Sequence, residues 1–134
     1  MSDDAPGSGG PVSEKPAVEV PAGAPGPYLD VDDVAVGEGT EAVRGSTAVV
    51  HYVGVAHSTG AQFDASWDRA EPFSFTLGKR EVIAGWDKGV SGMRVGGRRR
   101  LVVPPHLGYG GRGVPGVIAA GETLVFVVDL LDVR

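Results

Sequence analysis

An α+β fold, with five or six strands in a largely antiparallel sheet around one short helix, is what this 134-residue sequence predicts. Three observations carry that expectation. Several runs alternate apolar and polar residues with the period of two that half-buried strands require. Only one segment, 82–90, carries its apolar residues at helical spacing. Glycine or proline punctuates nearly every run, as turns between short strands demand.

Residues 1–27 stand apart. Six of the ten prolines fall there, from Pro6 to Pro27, and no aromatic residue occurs before Tyr28. Such a stretch buries too little surface to offset the entropy of ordering it, so a disordered N-terminal arm is expected. The folded domain is expected over 28–134. Its first strand, 29–36, is rich in valine and aspartate and stops at Gly37-Glu38-Gly39. A stronger one follows at 47–55, where Ala48, Val50 and Tyr52 point one way and Val49, His51 and Val53 the other. Ser58-Thr59-Gly60 supplies a turn, and 61–66 begins the return. In 73–77 apolar residues strictly alternate with small polar ones until Gly78-Lys79 ends the run.

The helix comes next. Val82, Ile83, Trp86 and Val90 share one face, yet Gly85 and Gly89 should each weaken the helix by roughly 1 kcal/mol relative to alanine. A helix this short does not persist alone in water. It must be covered by the strands, with Trp86 either a plain core residue or the floor of a pocket. A strand over 98–103 ends at Pro104-Pro105, and a glycine-rich loop then carries Tyr109 as its only aromatic residue. The chain closes with a strand over 123–133, where Leu124, Phe126, Val128 and Leu130 face one side.

Composition removes many functions. There is no cysteine, which excludes disulfides, thiolate nucleophiles and cysteine-ligated zinc. A net charge of −5 argues against nucleic-acid binding. No apolar run approaches the roughly 20 residues that span a bilayer, and Met1-Ser2-Asp3-Asp4 does not read as a secretory leader, so no membrane partner and a cytoplasmic location are expected. His51, His57 and His106 lack neighbours at metal-ligand spacing, so no metal and no cofactor are expected. The run from Gly108 to Gly113 lacks the Lys-Ser/Thr of a phosphate loop. Arg98-Arg99-Arg100 reads as a solvated strand edge, its side chains split between two faces. What remains is a set of aromatic residues drawn from every part of the chain: Tyr52, Phe63, Phe73, Phe75, Trp86, Tyr109 and Phe126. Together, with Asp64 after Phe63, they suit the lining of an apolar pocket with a few polar anchors.

Five ordered blocks carry a resemblance to a known family. They are Val49-Val50-His51-Tyr52-Val53-Gly54; Phe63-Asp64-Ala65-Ser66-Trp67-Asp68-Arg69; Pro72-Phe73-Ser74-Phe75-Thr76-Leu77-Gly78 running into Val82-Ile83-Ala84-Gly85-Trp86-Asp87-Lys88-Gly89-Val90; Tyr109-Gly110; and the closing run from Thr123 to Leu131. Over about residues 28–134 the sequence resembles the FKBP-type peptidyl-prolyl cis-trans isomerases, the immunophilins that bind tacrolimus and rapamycin. The resemblance implies a curved sheet wrapped across the short helix, with the active pocket between them. It implies a pocket of Tyr52, Phe63, Asp64, Phe73, Val82, Ile83, Trp86, Tyr109, Ile118 and Phe126. Of these, Tyr52, Phe63, Asp64, Trp86, Tyr109 and Phe126 are expected to serve catalysis, and Phe73, Val82, Ile83 and Ile118 to bind substrate. Arg69 is expected to join Asp64 and Tyr52 in a polar network behind the wall. The Ile83 backbone N–H and the Tyr109 hydroxyl are expected to meet ligand carbonyls. Partners implied are proline-containing polypeptides and macrolide inhibitors, engaged by a monomer.

Two positions depart from the family pattern. Val114 precedes Pro115-Gly116 where a histidine often stands, and Ala119-Ala120 replaces a frequent proline pair. Both bear on substrate preference more than on activity. The residue types suit the reaction. Rotation about Xaa-Pro is slow because amide resonance must be broken, taking tens to hundreds of seconds. The twisted amide is less dipolar than the planar one, so an apolar, water-excluding pocket favours the transition state. Reaching milliseconds needs roughly 10⁴-fold acceleration, about 5.5 kcal/mol. No nucleophile is required. Asp64 either touches the twisted carbonyl or orients Tyr52, and the orienting role is favoured. A binding module that merely holds a proline-containing partner would use the same pocket; a hydrolase would need a nucleophile and base that are not found.

Overall fold

In a computed structural model, which describes residues 14–134, six strands form one curved antiparallel sheet. They are β1 (Asp30–Ala35), β2 (Thr47–Ala56), β3 (Gln62–Ala65), β4 (Phe73–Thr76), β5 (Arg98–Val103) and β6 (Leu124–Val133). Across the sheet the order is β1-β5-β6-β2-β3, with β4 also pairing with β2. The two short strands divide one long neighbour: β4 takes Thr47 to Val50 of β2, and β3 takes Val53 to Val55. That division leaves Tyr52 at the gap between them, where a side chain can reach past the sheet edge.

The helix α1 runs only from Ala84 to Gly89, shorter than the expected 82–90. Ile83 leads into it in extended form, with φ −57° and ψ 149°. Its glycines are explained by contact. A Cβ on Gly85 would lie 2.5 Å from Val103, and one on Gly89 2.7 Å from Leu101. The helix therefore approaches the sheet more closely than alanine permits, and this approach outweighs the propensity lost.

Alternation along the strands makes two apolar layers. On the concave face Val50 and Tyr52 of β2, Leu101 and Val103 of β5, and Leu124, Phe126, Val128 and Leu130 of β6 pack with Trp86 and Val90 of α1. On the convex face Val53 and Val55, Ala65, Val102 and Val125 form a second cluster, against which Val18, Val20 and Trp67 pack. Residues 1–13 of the expected arm lie outside the described residues. Residues 14–27 contain no helix or strand, but they lie on this convex face. Lys15 is held to Asp68 at 2.7 Å, and Arg98 donates to the Glu14 carbonyl at 2.9 Å. Two valines and two polar ties thus bring the segment onto the sheet.

The arginine run corrects one expectation. β5 lies between β1 and β6, so it is no edge, and Arg98 and Arg99 are mostly buried rather than solvated. Arg98 pairs across the sheet with the fully buried Asp129 at 2.6 Å. Burial pushes the Asp129 carboxyl up, and Arg98 pulls it back. Arg99 points to the concave side, bonding Asp33 at 2.7 Å and the Gly89 and Ser91 carbonyls at 2.9 and 3.0 Å. A cation at the last carbonyls of α1 is favourable, and it closes a helix too short to stand alone. The split between faces is as the alternation requires.

Candidate active site

Four strands, the helix with its approach, and the long loop converge on a cavity of about 170 Å³ between the concave face and α1. β2 contributes Tyr52, β3 Phe63 and Asp64, β4 Phe73, and β6 Phe126; the approach to α1 contributes Glu81, Val82 and Ile83, the helix itself Trp86, and the long loop Tyr109. Trp86 is the floor, only 4% exposed, whereas Phe73 and Tyr109, at 36% and 42%, stand at the rim. Tyr52 and Phe126 meet the indole edge-to-face with ring centroids 4.9 and 5.4 Å away, and Phe73 does so at 6.0 Å. Phe75, which does not line the cavity, supports the indole from 5.6 Å. Edge-to-face packing is a favoured aromatic geometry and fixes each ring by its neighbours. Phe63 meets Phe126 edge-to-face at 5.6 Å, and a glycine leaves room for the pair: a Cβ on Gly54 would lie 2.6 Å from Phe63 and 2.8 Å from Phe126.

Behind the aromatic wall sits a closed polar network. The Tyr52 hydroxyl donates to Asp64 Oδ2 at 2.5 Å. Arg69, on the single 3₁₀ turn Ser66–Arg69 after β3, donates to Asp64 Oδ1 at 2.6 Å and to the Tyr52 hydroxyl at 3.0 Å. Both carboxylate oxygens are therefore engaged, and so is the only proton of the phenol. Burial, then the bond to Asp64, pushes the Tyr52 phenol up, while Arg69 pulls it down. The Arg69 guanidinium is itself held above its ordinary value by Asp64 first and Tyr52 next. Tyr109 is pushed up by burial and then by the charge on Asp64.

The free donors are elsewhere. Among the described residues the Ile83 N–H and the Tyr109 hydroxyl meet no acceptor, and both belong to the cavity lining. Ile83 is free because it is itself extended and precedes the first helical bond, which Trp86 N–H makes to the Ile83 carbonyl at 2.9 Å. The buried indole N–H of Trp86 also lacks a partner, so this ring is held by shape and apolar contact alone.

Most of the residues expected at the site come together here; two do not line the cavity. Ile118 is buried in the concave core and exchanges backbone hydrogen bonds with Val114 at 2.8 and 2.9 Å, so it braces the long loop. Arg69 stands behind the wall, as the resemblance implied. Glu81 was not singled out from sequence. Its only signal was adjacency to Val82-Ile83, and the structure shows its carboxylate accepting the Thr76 N–H at 2.9 Å.

The arrangement offers no nucleophilic chemistry at the cavity. A serine and a histidine do meet, Ser66 Oγ lying 2.8 Å from His51 Nδ1, but Ser66 is fully buried, accepts the Tyr52 N–H at 2.7 Å and does not line the cavity. His51 is stacked on Trp67 at 4.2 Å. Among the described residues no group of three or more histidines and carboxylates is placed to hold a metal ion, and no helix is long and apolar enough to cross a membrane.

Comparison with known proteins gives a consistent picture. The family model for the FKBP-type peptidyl-prolyl cis-trans isomerases matches residues 38–131. An FK506-binding protein of Streptomyces anulatus is 56% identical over 121 residues, covering 90% of this chain and 98% of the relative. A probable FK506-binding protein of Corynebacterium glutamicum is 48% identical, covering 89% and 98% respectively. Among solved structures, AtFKBP13 superposes with a TM-score of 0.73 at 38% identity, over 79% of this chain and 93% of its own. FkpA from Escherichia coli gives the same score and identity over 91% of this chain and 54% of its own.

Proposed function

The chain belongs to the FKBP-type peptidyl-prolyl cis-trans isomerases, and we propose that it turns Xaa-Pro bonds in the cavity over Trp86 and takes FK506- and rapamycin-type macrolides in the same place. The observation that carries this reading is the aromatic box around Trp86, which leaves two donors, Ile83 N–H and Tyr109 O–H, without partners. The prolyl ring sits on the indole, enclosed by Tyr52, Phe73 and Phe126. Ile83 N–H and the Tyr109 hydroxyl hold carbonyls on either side of the turning bond. The apolar walls disfavour the planar, more dipolar amide relative to the twisted one. Tyr52 contributes surface, since its proton is given to Asp64. Asp64 is a positioning residue, both of its oxygens being occupied by Tyr52 and Arg69.

Residues 28–134 form the isomerase domain in this reading, preceded by an arm over 1–27. The protein works as a monomer in the cytoplasm on proline-containing clients during folding. A protease-free assay of prolyl isomerisation, run with and without rapamycin, tests the reading. Acceleration that saturating rapamycin removes is expected. Acceleration that survives saturation would put the reaction outside this cavity, and a folded sample with no acceleration would leave only a binding role.

A further inference from the structure

The cavity over Trp86 has a larger neighbour. A depression of about 760 Å³ lies on the other side of Val82, which lines both. Its charged lining is Arg44, Arg80, Lys88 and Asp87, a local charge of plus two in a chain whose net charge is −5. Seven of the twelve basic residues (Lys15, Arg69, Arg94, Arg98, Arg99, Arg100 and Arg134) pair with carboxylates. Among the described residues the other five pair with none: Lys79 and Arg112 do not line the depression, whereas Arg44, Arg80 and Lys88 are all exposed around it.

Asp87 does not neutralise them. Its two oxygens accept the backbone N–H groups of Gly78 and Arg80 at 2.9 and 3.0 Å, which pins the turn before α1. Arg44 is fixed from the other side. Its stem crosses Gly78 so closely that a Cβ there would lie 2.7 Å from Arg44 Cγ. The three cations thus come from separate parts of the chain, and among the described residues none is paired with an anion of the protein's own.

We propose that this depression receives acidic side chains of the client two or three residues from the isomerising proline, so that the enzyme prefers acidic flanks. The inference rests on the cavity over Trp86 taking the prolyl ring. An extended chain advances about 3.3–3.6 Å per residue, so a client crossing Val82 reaches the depression within a few residues. Closer to the proline the preference does not apply, because the cavity's own carboxylates, Asp64 and Glu81, stand there. Unpaired cations in a partly enclosed depression raise encounter rates and affinity for acidic segments, in a manner that salt weakens.

The test is protease-free isomerisation of Leu-Pro-Phe peptides whose flanking pair, placed two and three residues before the proline or after it, is Glu-Glu, Ser-Ser or Lys-Lys. Wild type and an Arg44→Gln/Lys88→Gln double variant are compared. In at least one of the two placements, kcat/KM for Glu-Glu should exceed that for Lys-Lys by about fivefold at low salt. The ratio should fall below about twofold in ~0.5 M NaCl and in the double variant. The double variant should turn over the Ser-Ser peptide as wild type does. Equal rates for all flanks, or an acidic preference that survives in the double variant, overturn the proposal while leaving the prolyl site intact. Failure to turn over any peptide overturns the prolyl-site reading, and the flank preference with it.

Discussion

The two faces of the sheet are made by the same strands and do different work. On β2, Val50 and Tyr52 turn to the concave side and Val53 and Val55 to the convex side. The concave layer uses large rings, Tyr52, Phe75, Trp86 and Phe126, whose rigid edges stop short of filling the space and leave a cavity of about 170 Å³. The convex layer uses small branched residues, and the chain's own residues 14–20 lie over it. Bulky planar side chains with fixed mutual angles make a site; compact β-branched ones make a seal. The polar ties differ in the same sense. Asp64 and Arg69 support a cavity wall, whereas Lys15 and Glu14 fasten a covering segment.

The largest effect is expected at the floor of the cavity. Trp86→Ala should cost about 3–5 kcal/mol of stability, read by urea denaturation, and should also lower kcat/KM on a neutral peptide. If activity survived in a folded Trp86→Ala protein, the concave face would be no more than a core. On the convex face, Val18→Asp/Val20→Asp should cost about 1–3 kcal/mol, because a carboxylate replaces apolar cover over Val53, Val102 and Val125. This double variant should keep wild-type kcat/KM at temperatures where it is folded. A loss of activity there would mean that the two faces are coupled.

Asp64→Leu sharpens the division within the site. Removing an acceptor that orients Tyr52 should lower kcat/KM by about threefold to tenfold without abolishing it, the scale of one lost hydrogen bond. Complete loss in a folded variant would argue for direct chemistry by the carboxylate. The smallest mutational effect should come from Lys15→Ala. Lys15 and Asp68 are half exposed and screened by solvent, so thermal unfolding should be shifted least of all the variants, if at all. A further small term is expected from His51 on the convex side. Burial lowers its pKa below the ordinary 6.5, so the unfolded chain takes up a proton before the folded one. Stability should therefore fall as pH drops through and below about 6.5, and His51→Gln should flatten that slope.

Local patterns carried much of this architecture. Period-two runs marked β2, β4, β5 and β6 to within a residue or two, because burial on one or both faces imposes that pattern directly. The helix was readable in kind but not in extent. Ile83 is apolar and in register with Trp86, yet it lies in extended backbone, and only the close approach of Gly85 and Gly89 to Val103 and Leu101 explains where α1 sits. Strand order is not readable from the sequence: the arginine run suggests an edge where β5 lies inside the sheet, because periodicity holds no record of which distant strand lies beside it. For the same reason the burial of Arg98 and Arg99 was missed, since their partners Asp129 and Asp33 are remote in sequence. At the site, nine of the cavity's ten lining residues were named from the motif blocks; the tenth, Glu81, is an ordinary acidic residue beside them. The resemblance placed Ile118 in the lining, but its turn with Val114 takes it into the core.

In the proposed function the concave cavity turns the prolyl bond by shape and apolarity, with no acid or base. The direct measurement is the pH dependence of kcat/KM on a neutral peptide between about pH 6.5 and 8.5, followed without a coupling protease. Tyr52 and Tyr109 are both pushed above their ordinary value and remain protonated across that range. A flat profile is expected; a bell or a step with an apparent pKa inside the range would contradict the account, because it would reveal a titrating group in the reaction.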